Sequence, residues 1–216
     1  MTTRNWLITG VSSGFGRELA TQLLDHGDTV VGTVRRPDSV ADLIKKYPDT
    51  FHRELLDVTD TAAVREVTDR SFSSLGRIDV VVSNAGYGLF GAAEELSDEQ
   101  VSHIIATNLT GPIQLIRAAL PHLRAQGGGR IIQISTYGGQ VAFPGNSMYH
   151  ATKWGVEGFA ESVAQEVAPL RLILGSQAQR NTIEVLRNRI AGFDCPGRAG
   201  RVDRLPAGRM IGSSNQ

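Results

Sequence analysis

The sequence predicts an α/β fold, a doubly wound parallel sheet of about six strands with helices on both faces. Short runs rich in Val, Ile and Leu lack polar alternation, which is typical of strands buried on both faces. Segments with helical periodicity separate these runs. Strict alternation of strand and helix favours right-handed crossovers between parallel strands. A chain of 216 residues suits one such domain.

The strands and helices can be placed from these patterns. Strands are predicted at Trp6–Thr9, Thr29–Val34, Phe51–Leu56, Ile78–Ser83 and Arg130–Ile134. Helices are predicted at Gly14–His26, Asp38–Lys46 and Thr61–Leu75, twice within Ser97–Gln126, and at Ser147–Ala168. Asp60 and Ser97 stand where helix N-caps are expected, and Gly27 and Gly76 stand where helices should end.

Composition excludes several classes of function. The formal net charge is zero, so the chain has no overall attraction to nucleic acid or anionic membranes. Cys195 is the single cysteine, which fits a reducing cytoplasm and, with no histidine nearby, a non-catalytic role. The five histidines are scattered without metal-ligand spacing. No apolar run approaches the ~20 residues of a bilayer span, and no signal peptide fits before the first strand.

A glycine-rich loop joins the first predicted strand to the first helix. It reads Thr9-Gly10-Val11-Ser12-Ser13-Gly14-Phe15-Gly16. We expect Gly10 to allow a tight turn, Gly14 to let the backbone approach a pyrophosphate, and Gly16 to let helix and strand pack closely. The helix N-terminus then offers free N–H groups to phosphates. A glycine turn without a ligand is the weaker alternative, because a strand and a helix flank the loop.

The spacing G-x-x-x-G-x-G resembles the short-chain dehydrogenase/reductase family, whose members have a Rossmann fold. A second segment, Ser83-Asn84-Ala85-Gly86, is similar to the family's N-N-A-G, with Ser83 in place of the first asparagine. The resemblance implies that the loop residues Ser12 and Ser13, together with Asn84 and Gly86, lie at the cofactor.

The end of the second strand predicts which nicotinamide cofactor binds. An acid there would bind a ribose 2′-hydroxyl, but the strand ends in Arg35 and Arg36. A guanidinium makes charge-assisted bonds to phosphate. The family resemblance implies NADP(H) preference through Arg35, with Arg36 the weaker candidate and a solvated basic loop the alternative. Asp57 matches a family position that contacts adenine.

Tyr149 and Lys153 match the family's Y-x-x-x-K. Four residues apart, they share one helix face. A tyrosine titrates near pH 10 in water, and a nearby ammonium is expected to lower its pKa. The resemblance implies that Tyr149 is the acid/base and that Lys153 tunes it and reaches the cofactor ribose.

Two further positions complete the predicted reaction centre. Thr136, 13 residues before Tyr149, stands where the family has a serine that holds the substrate oxygen. Ser135 is the fallback, although strand alternation points it to the other face. Asn108 matches the family asparagine that kinks its helix and holds a relay water. His150 is interpreted as a neighbour on another face of the helix.

The resemblance is continuous through about Ala168. The next apolar run, Leu170–Leu174, resembles the family's final strand, so one strand and the substrate loop are interpreted as missing. We expect this run to pair with Arg130–Ile134 and to form the sheet edge, followed by a helix at Gln177–Ile190. One domain is predicted over residues 1–192, with a disordered tail over 193–216 that lacks lysine and the aromatic interleaving of a nucleic-acid-binding tail.

These observations predict a cytoplasmic NADP(H)-dependent oxidoreductase that interconverts an alcohol and a ketone or aldehyde, without a metal. The alternative is a non-catalytic nucleotide-binding remnant of the family with an incomplete pocket. Family resemblance implies a homodimer formed through Gly111–Gln126 and Ser147–Ala168. The substrate is a small molecule whose identity the sequence does not reveal.

Overall fold

A computed structural model describes residues 3–167 and the backbone of two later strands, at residues 171–176 and 203–204. The strands are β1 (Asn5–Thr9), β2 (Thr29–Val34), β3 (Phe51–Leu55), β4 (Val80–Ser83), β5 (Arg130–Ser135), β6 (Arg171–Ser176) and β7 (Asp203–Arg204). The α-helices are α1 (Gly14–Asp25), α2 (Ala41–Lys46), α3 (Thr61–Leu75), α4 (Asp98–Ile105), α5 (Gly111–Ala125) and α6 (Ser147–Glu166).

The strands form one parallel sheet in the order β3-β2-β1-β4-β5-β6-β7. The order reverses between β1 and β4, since β2 and β3 extend to one side of β1 and the later strands extend to the other. Ligands of doubly wound sheets bind at this reversal, outside the carboxyl ends of the strands. The predicted Rossmann fold is therefore confirmed.

Each face of the sheet carries its own apolar core. On one face, alternate strand residues pack against α3, α5 and α6, and the cluster includes Leu7, Val31, Val81, Ile131, Val67, Leu115, Leu123 and Val163. On the other face they pack against α1 and α2, with Trp6, Ile8, Val30, Val82, Ile132, Leu19, Leu23 and Leu43. This two-sided burial explains why the strand sequences lack polar alternation.

The predicted helix caps are found in the structure. The Asp60 carboxylate accepts hydrogen bonds from the backbone N–H groups of Ala62 and Ala63, at the start of α3. Ser97 and Gln100 form a reciprocal capping box at the start of α4. Gly76 ends α3 in the left-handed conformation, with φ of 69°, which a glycine adopts without steric cost.

Two element boundaries differ from the sequence prediction. The fourth strand begins at Val80, because the N–H of Ile78 donates to the Gln126 side chain instead of joining the strand ladder. The helix predicted over Asp38–Lys46 begins as a 3₁₀ turn at Pro37–Val40, since proline fixes φ at a helix start.

The structure confirms that the run after α6 pairs with β5. Arg171 lies opposite Arg130 and Ile173 lies opposite Ile132. The expectation that this run is the sheet edge is wrong, because β7 pairs with β6 on its outer side. An edge strand leaves a row of unpaired N–H and C=O groups, and β7 satisfies part of that row. The predicted helix Gln177–Ile190 lies outside the described residues.

Within the described part of the chain, no helix has the length and apolar character needed to cross a bilayer. The same residues contain no group of three or more His, Cys, Asp or Glu side chains that could hold a metal ion.

Candidate active site

A cleft of about 580 Å³ opens at the carboxyl ends of β1, β2 and β4, where the strand order reverses. Most of the cofactor-binding residues that the sequence predicts line it, namely Gly10, Ser12, Ser13, Gly14, Arg35, Asp57, Asn84 and Gly86. Its wall also includes three residues that the sequence analysis missed, Tyr87, His103 and Thr107. The Tyr87 and His103 rings lie 5.6 Å apart, and no recognisable motif marks either residue.

The glycines of the loop have distinct structural roles. Gly10 has φ of 74°, and a Cβ on it would press against Ala85. A side chain there would therefore be both strained and crowded. Gly14 has φ of 59° and no atom within 4 Å of the place a Cβ would occupy, which leaves open space beside the loop. A Cβ on Gly16 would collide with the Asn84 side chain and the Gly10 carbonyl. Gly16 therefore allows close packing of α1 on β1.

Asn84 joins the ends of β1 and β4. Its side-chain amide donates to the carbonyls of Thr9 at 2.9 Å and Gly10 at 3.1 Å. Its backbone N–H donates to the Thr9 hydroxyl at 3.0 Å. The side chain of Asn84 is thus used to brace the glycine loop, and Asn84 and Gly86 both line the cleft. This bracing fixes the shape of the site before any ligand binds.

The first turn of α1 is open to the cleft. Ser13 is the N-cap residue of α1, but its side chain makes no capping hydrogen bond. Both Ser12 and Ser13 are exposed on the wall of the cleft. The N-terminal N–H groups and the positive end of the helix dipole form a site suited to a phosphate.

Arg35 lies on the rim of the cleft at the end of β2, and Arg36 is not among the residues that line it. Close by, the Asp57 carboxylate accepts hydrogen bonds from the backbone N–H and the hydroxyl of Thr59. The Thr59 N–H is the main cause that lowers the pKa of Asp57, and the charges of Arg35 and His103 add to it. The three charged or ionisable side chains thus meet at one end of the cleft.

Tyr149 and Thr136 come together in the structure. The two side chains lie close enough for Thr136 to act on the pKa of Tyr149, and the Thr136 hydroxyl accepts a hydrogen bond from the N–H of Gly138 at 2.7 Å. Burial raises the pKa of Tyr149, and the Thr136 side chain partly opposes this rise. Lys153 was expected to lower this pKa, but it is not among the groups that act on it. The Lys153 ammonium lies 5.8 Å from the centre of the Tyr149 ring.

Lys153 is buried, with 6% of its surface exposed. Its Nζ donates to the backbone carbonyl of Ile134 at 3.2 Å. Burial lowers the pKa of Lys153 to about 8, and the charge of Glu157 opposes that change. The ammonium is therefore held at the end of β5, on the same face of α6 as Tyr149.

Asn108 sits in a π-helical turn, Ala106–Thr110, between α4 and α5. Its Oδ1 accepts from the N–H of Tyr87 at 3.0 Å, and its Nδ2 donates to the carbonyl of Tyr87 at 2.7 Å. The side chain therefore braces the segment after β4. The irregular turn agrees with the expected kink, while a water-holding role for Asn108 stays a prediction.

The side chains of Ser135 and His150, which are next in sequence to Thr136 and Tyr149, have partners outside the predicted reaction centre. Ser135 donates to Glu157 at 2.5 Å on the α6 side of the sheet, so strand alternation separates it from Thr136. The His150 ring is buried against Gly138, and its Nδ1 accepts from the N–H of Phe143 at 3.3 Å. This packing agrees with the interpretation of His150 as a neighbour.

Comparison with known families shows to which family this chain belongs. The model of the short chain dehydrogenase family matches residues 4–175, which span β1 to β6. The chain belongs to the short-chain dehydrogenase family. Curated and solved relatives carry the names oxidoreductase, reductase and dehydrogenase.

Several curated dehydrogenase relatives are similar in sequence. Oxidoreductase BOA17 of Botryotinia fuckeliana is 39% identical over 77% of this chain and 61% of its own length. The 3-ketodihydrosphingosine reductase of Bacteroides thetaiotaomicron is 38% identical over 77% of this chain and 59% of its own. The chain thus spans about three fifths of the length of these relatives.

Solved structures of the family share the fold. A short-chain dehydrogenase from Streptomyces avermitilis is 36% identical with a TM-score of 0.78, over 88% of this chain and 77% of that one. A metagenomic short-chain oxidoreductase in complex with NADP is 27% identical with a TM-score of 0.80, over 86% of this chain and 89% of that one.

Proposed function

We propose that this dehydrogenase is NADP(H)-dependent and interconverts an alcohol and a ketone or aldehyde. The observation that carries the proposal is the Tyr149 hydroxyl beside the Thr136 side chain, with the Lys153 ammonium on the same helix face. A proton donor, a second hydroxyl and a cation in one place suit a carbonyl oxygen that accepts a proton.

The cleft residues suit a dinucleotide. Open space beside Gly14 and the free first turn of α1 suit a pyrophosphate. Arg35 on the rim suits a 2′-phosphate, because a guanidinium binds phosphate oxygens in pairs and no carboxylate ends β2 to repel them. Asp57 and the backbone at Asn84 and Gly86 are assigned to the adenosine half, and Lys153 to the ribose nearest the reaction.

The proton chemistry follows from the environment of Tyr149. A nicotinamide bound in the cleft would supply the hydride that reduces the carbonyl carbon. Thr136 orients the carbonyl oxygen, and the Tyr149 hydroxyl gives that oxygen its proton and becomes a phenolate. Lys153 stabilises the phenolate until a proton returns from solvent through the Asn108 turn. Because burial raises the pKa of Tyr149, the neutral phenol that donates this proton prevails at neutral pH.

Relatives support the direction of the proposal. One is named a 3-ketodihydrosphingosine reductase, and another, from Escherichia coli, is a 3-oxoacyl-acyl-carrier-protein reductase that is 33% identical over 96% of this chain. Both names describe reduction of a ketone. The alternative, a non-catalytic nucleotide-binding remnant, predicts an empty place beside β5. The pairing of β6 with β5 favours the enzyme.

The proposal also includes a cellular location and the bounds of the domain. The single cysteine, Cys195, supports a cytoplasmic location. The domain over residues 1–192 and a disordered tail over 193–216 stay predictions, and most of that tail lies outside the described residues.

The test is NADPH oxidation by the purified protein with a panel of ketones and aldehydes. We expect Tyr149→Phe to lower kcat/KM by roughly 10²–10⁴-fold and to leave NADPH affinity nearly unchanged. Tyr137→Phe, which removes a hydroxyl on the adjacent turn, is the matched control. A Tyr149→Phe enzyme with the original rate contradicts the assignment. Equal affinities of the original protein for NADPH and NADH contradict the cofactor.

A further inference from the structure

Behind the reaction centre, α6 and β5 enclose a second polar group that the proposed chemistry does not use. Glu157 lies one helical turn beyond Lys153 and is 6% exposed, as buried as the lysine itself. Carboxylates are rarely buried without a role or a partner, because their removal from water is costly.

The position of the Glu157 carboxylate is fixed from two sides. The Ser135 hydroxyl, at the end of β5, donates to Oε1 at 2.5 Å. The backbone of Gly139 packs so closely that a Cβ at that position would overlap the same oxygen. Ser135, Gly139 and Glu157 thus form a small buried cluster on the side of α6 that faces β5.

This cluster adjoins the group that holds Lys153. The Lys153 ammonium donates to the carbonyl of Ile134, the residue before Ser135. Two successive residues of β5 therefore hold the two groups. The Ile134 carbonyl accepts from the Lys153 ammonium, and the Ser135 hydroxyl donates to the Glu157 carboxylate. A buried negative charge one helical turn away favours the charged form of a buried amine. Among the described residues, Glu157 is the group whose charge acts on Lys153.

Other ionisable groups around α6 do not explain this effect. Tyr149 lies beside Lys153 on α6 and is neutral at neutral pH. None of the described charged or ionisable groups on the elements packed on α6 is among the groups that act on the lysine charge. These groups are Asp98, Glu99 and His103 of α4, Arg117, His122 and Arg124 of α5, Arg130 of β5, and Tyr137.

We propose that Glu157, held by Ser135, is a positioning residue that keeps the buried Lys153 ammonium protonated in the working pH range. The inference rests on the proposed function for its catalytic meaning, because a protonated Lys153 is what stabilises the Tyr149 phenolate. Glu157 itself touches neither substrate nor cofactor in this proposal. The serine before Thr136, a fallback candidate for the substrate oxygen, acquires a separate role as the partner of Glu157.

The experiment is an NMR titration of the full chain labelled with ¹³C at the lysine ε-carbon. Lys45, Lys46 and Lys153 are its three lysines, so a Lys153→Arg sample assigns the active-site signal. We expect Glu157→Gln to lower the midpoint of the Lys153 titration by roughly 0.5–1 pH unit. Glu166→Gln, which removes the same charge at the exposed end of α6, should leave it unchanged.

An unchanged midpoint in Glu157→Gln, or an equal change in Glu166→Gln, overturns the proposal. Should Glu157→Gln fail to fold, Ser135→Ala carries the test. It should move the midpoint in the same direction by a smaller amount, since the carboxylate loses the bond that fixes it. No change in that variant also overturns the proposal.

Activity gives a second measurement that separates this proposal from the proposed function. With an active enzyme, the alkaline limb of the kcat/KM profile should move to lower pH in Glu157→Gln and stay in place in Glu166→Gln. If the original protein reduces no carbonyl substrate, the proposed function fails while the NMR titration still decides the role of Glu157.

Discussion

At the residue scale, Lys153 combines a functional position with an unfavourable environment. Its ammonium is almost fully buried, and its pKa falls from 10.5 to about 8. Between these values the unfolded chain binds the proton more strongly than the folded protein does. Stability therefore rises with pH through that window, and the whole penalty is present below pH 8.

We expect Lys153→Met to stabilise the cofactor-free protein. A difference of about 2.5 pKa units corresponds to roughly 3 kcal/mol, part of which is offset because the variant loses the hydrogen bond to Ile134. At pH 7, denaturant unfolding should show a gain of about 1–3 kcal/mol that shrinks as the pH approaches 10.5. Lys45→Met, at an exposed position of α2, should show no such pH-dependent gain. A gain that is equal at both pH values contradicts this account.

Sequence patterns placed the principal site residues but not their surroundings. Tyr149, Lys153 and Thr136 follow from the family resemblance, and the spacing of Tyr149 and Lys153 places them on one helix face. Glu157 could not be predicted, since a glutamate on a long helix is usually exposed. Its burial depends on the distance between α6 and β5. The raised pKa of Tyr149 was missed for the same reason, because it follows from burial of the side chain.

At the element scale, the contact between α1 and β1 depends on Gly16. A Cβ there would overlap the Asn84 side chain and the Gly10 carbonyl. The carbonyl belongs to the backbone of the glycine loop, so it has little freedom to move. Any relief displaces the loop or separates α1 from the sheet.

We therefore expect Gly16→Ala to lower the free energy of unfolding by about 1–3 kcal/mol and to weaken NADPH binding measurably. Gly27→Ala is the control. Gly27 lies just after the end of α1 and has φ of 91°, yet a Cβ there would meet no atom within 4 Å. The control should lose about 1–2 kcal/mol from backbone strain and keep its NADPH affinity. Denaturant unfolding and fluorescence titration measure both quantities; unaltered affinity in Gly16→Ala would show that the loop tolerates the overlap.

Element types were predictable because each helix keeps the helical periodicity throughout and most strands are short apolar runs without polar alternation. The π-turn at Ala106–Thr110 was foreseen as a kink through the family resemblance of Asn108. Its hydrogen bonds to Tyr87 were not, since they join segments 21 residues apart. Strand ends were less predictable where a side chain competes for a backbone group, as Gln126 does at Ile78.

At the scale of the whole molecule, α5 and α6 present the surface for which the family resemblance implies pairing. Trp154 on α6 is 52% exposed, a large apolar side chain at the surface. Burying such a ring between two copies would remove substantial apolar area from water. We expect a homodimer formed through Gly111–Gln126 and Ser147–Ala168.

Sedimentation at high protein concentration tests this assembly. Trp154→Asp should dissociate the dimer, because a carboxylate would be buried between two apolar surfaces. Phe90→Asp, at a position 73% exposed and distant from both helices in sequence, is the control and should remain dimeric. A monomer in the original protein, at all concentrations, contradicts the prediction.

The order of strands as far as β5 agrees with the predicted alternation, and the place of the run after α6 also agrees. The predicted outer edge of the sheet was wrong. Asp203 and Arg204 pair with β6, and a two-residue strand in a polar, glycine-rich stretch has no periodicity from which to predict it. Pairing of this kind depends on backbone groups that sequence patterns do not register.

The central position of β1 has a consequence for how the chain is made. Trp6 lies opposite Val80, so the ribosome, at about 5–20 residues per second, completes β4 roughly 4–15 s after β1. Throughout that interval one side of β1 offers unpaired N–H and C=O groups beside apolar side chains. No nucleotide can relieve this early, because the binding cleft also needs the segment that follows β4. We therefore expect the unpaired side of β1 to be open to association with other unfinished chains until the next 74 residues have emerged.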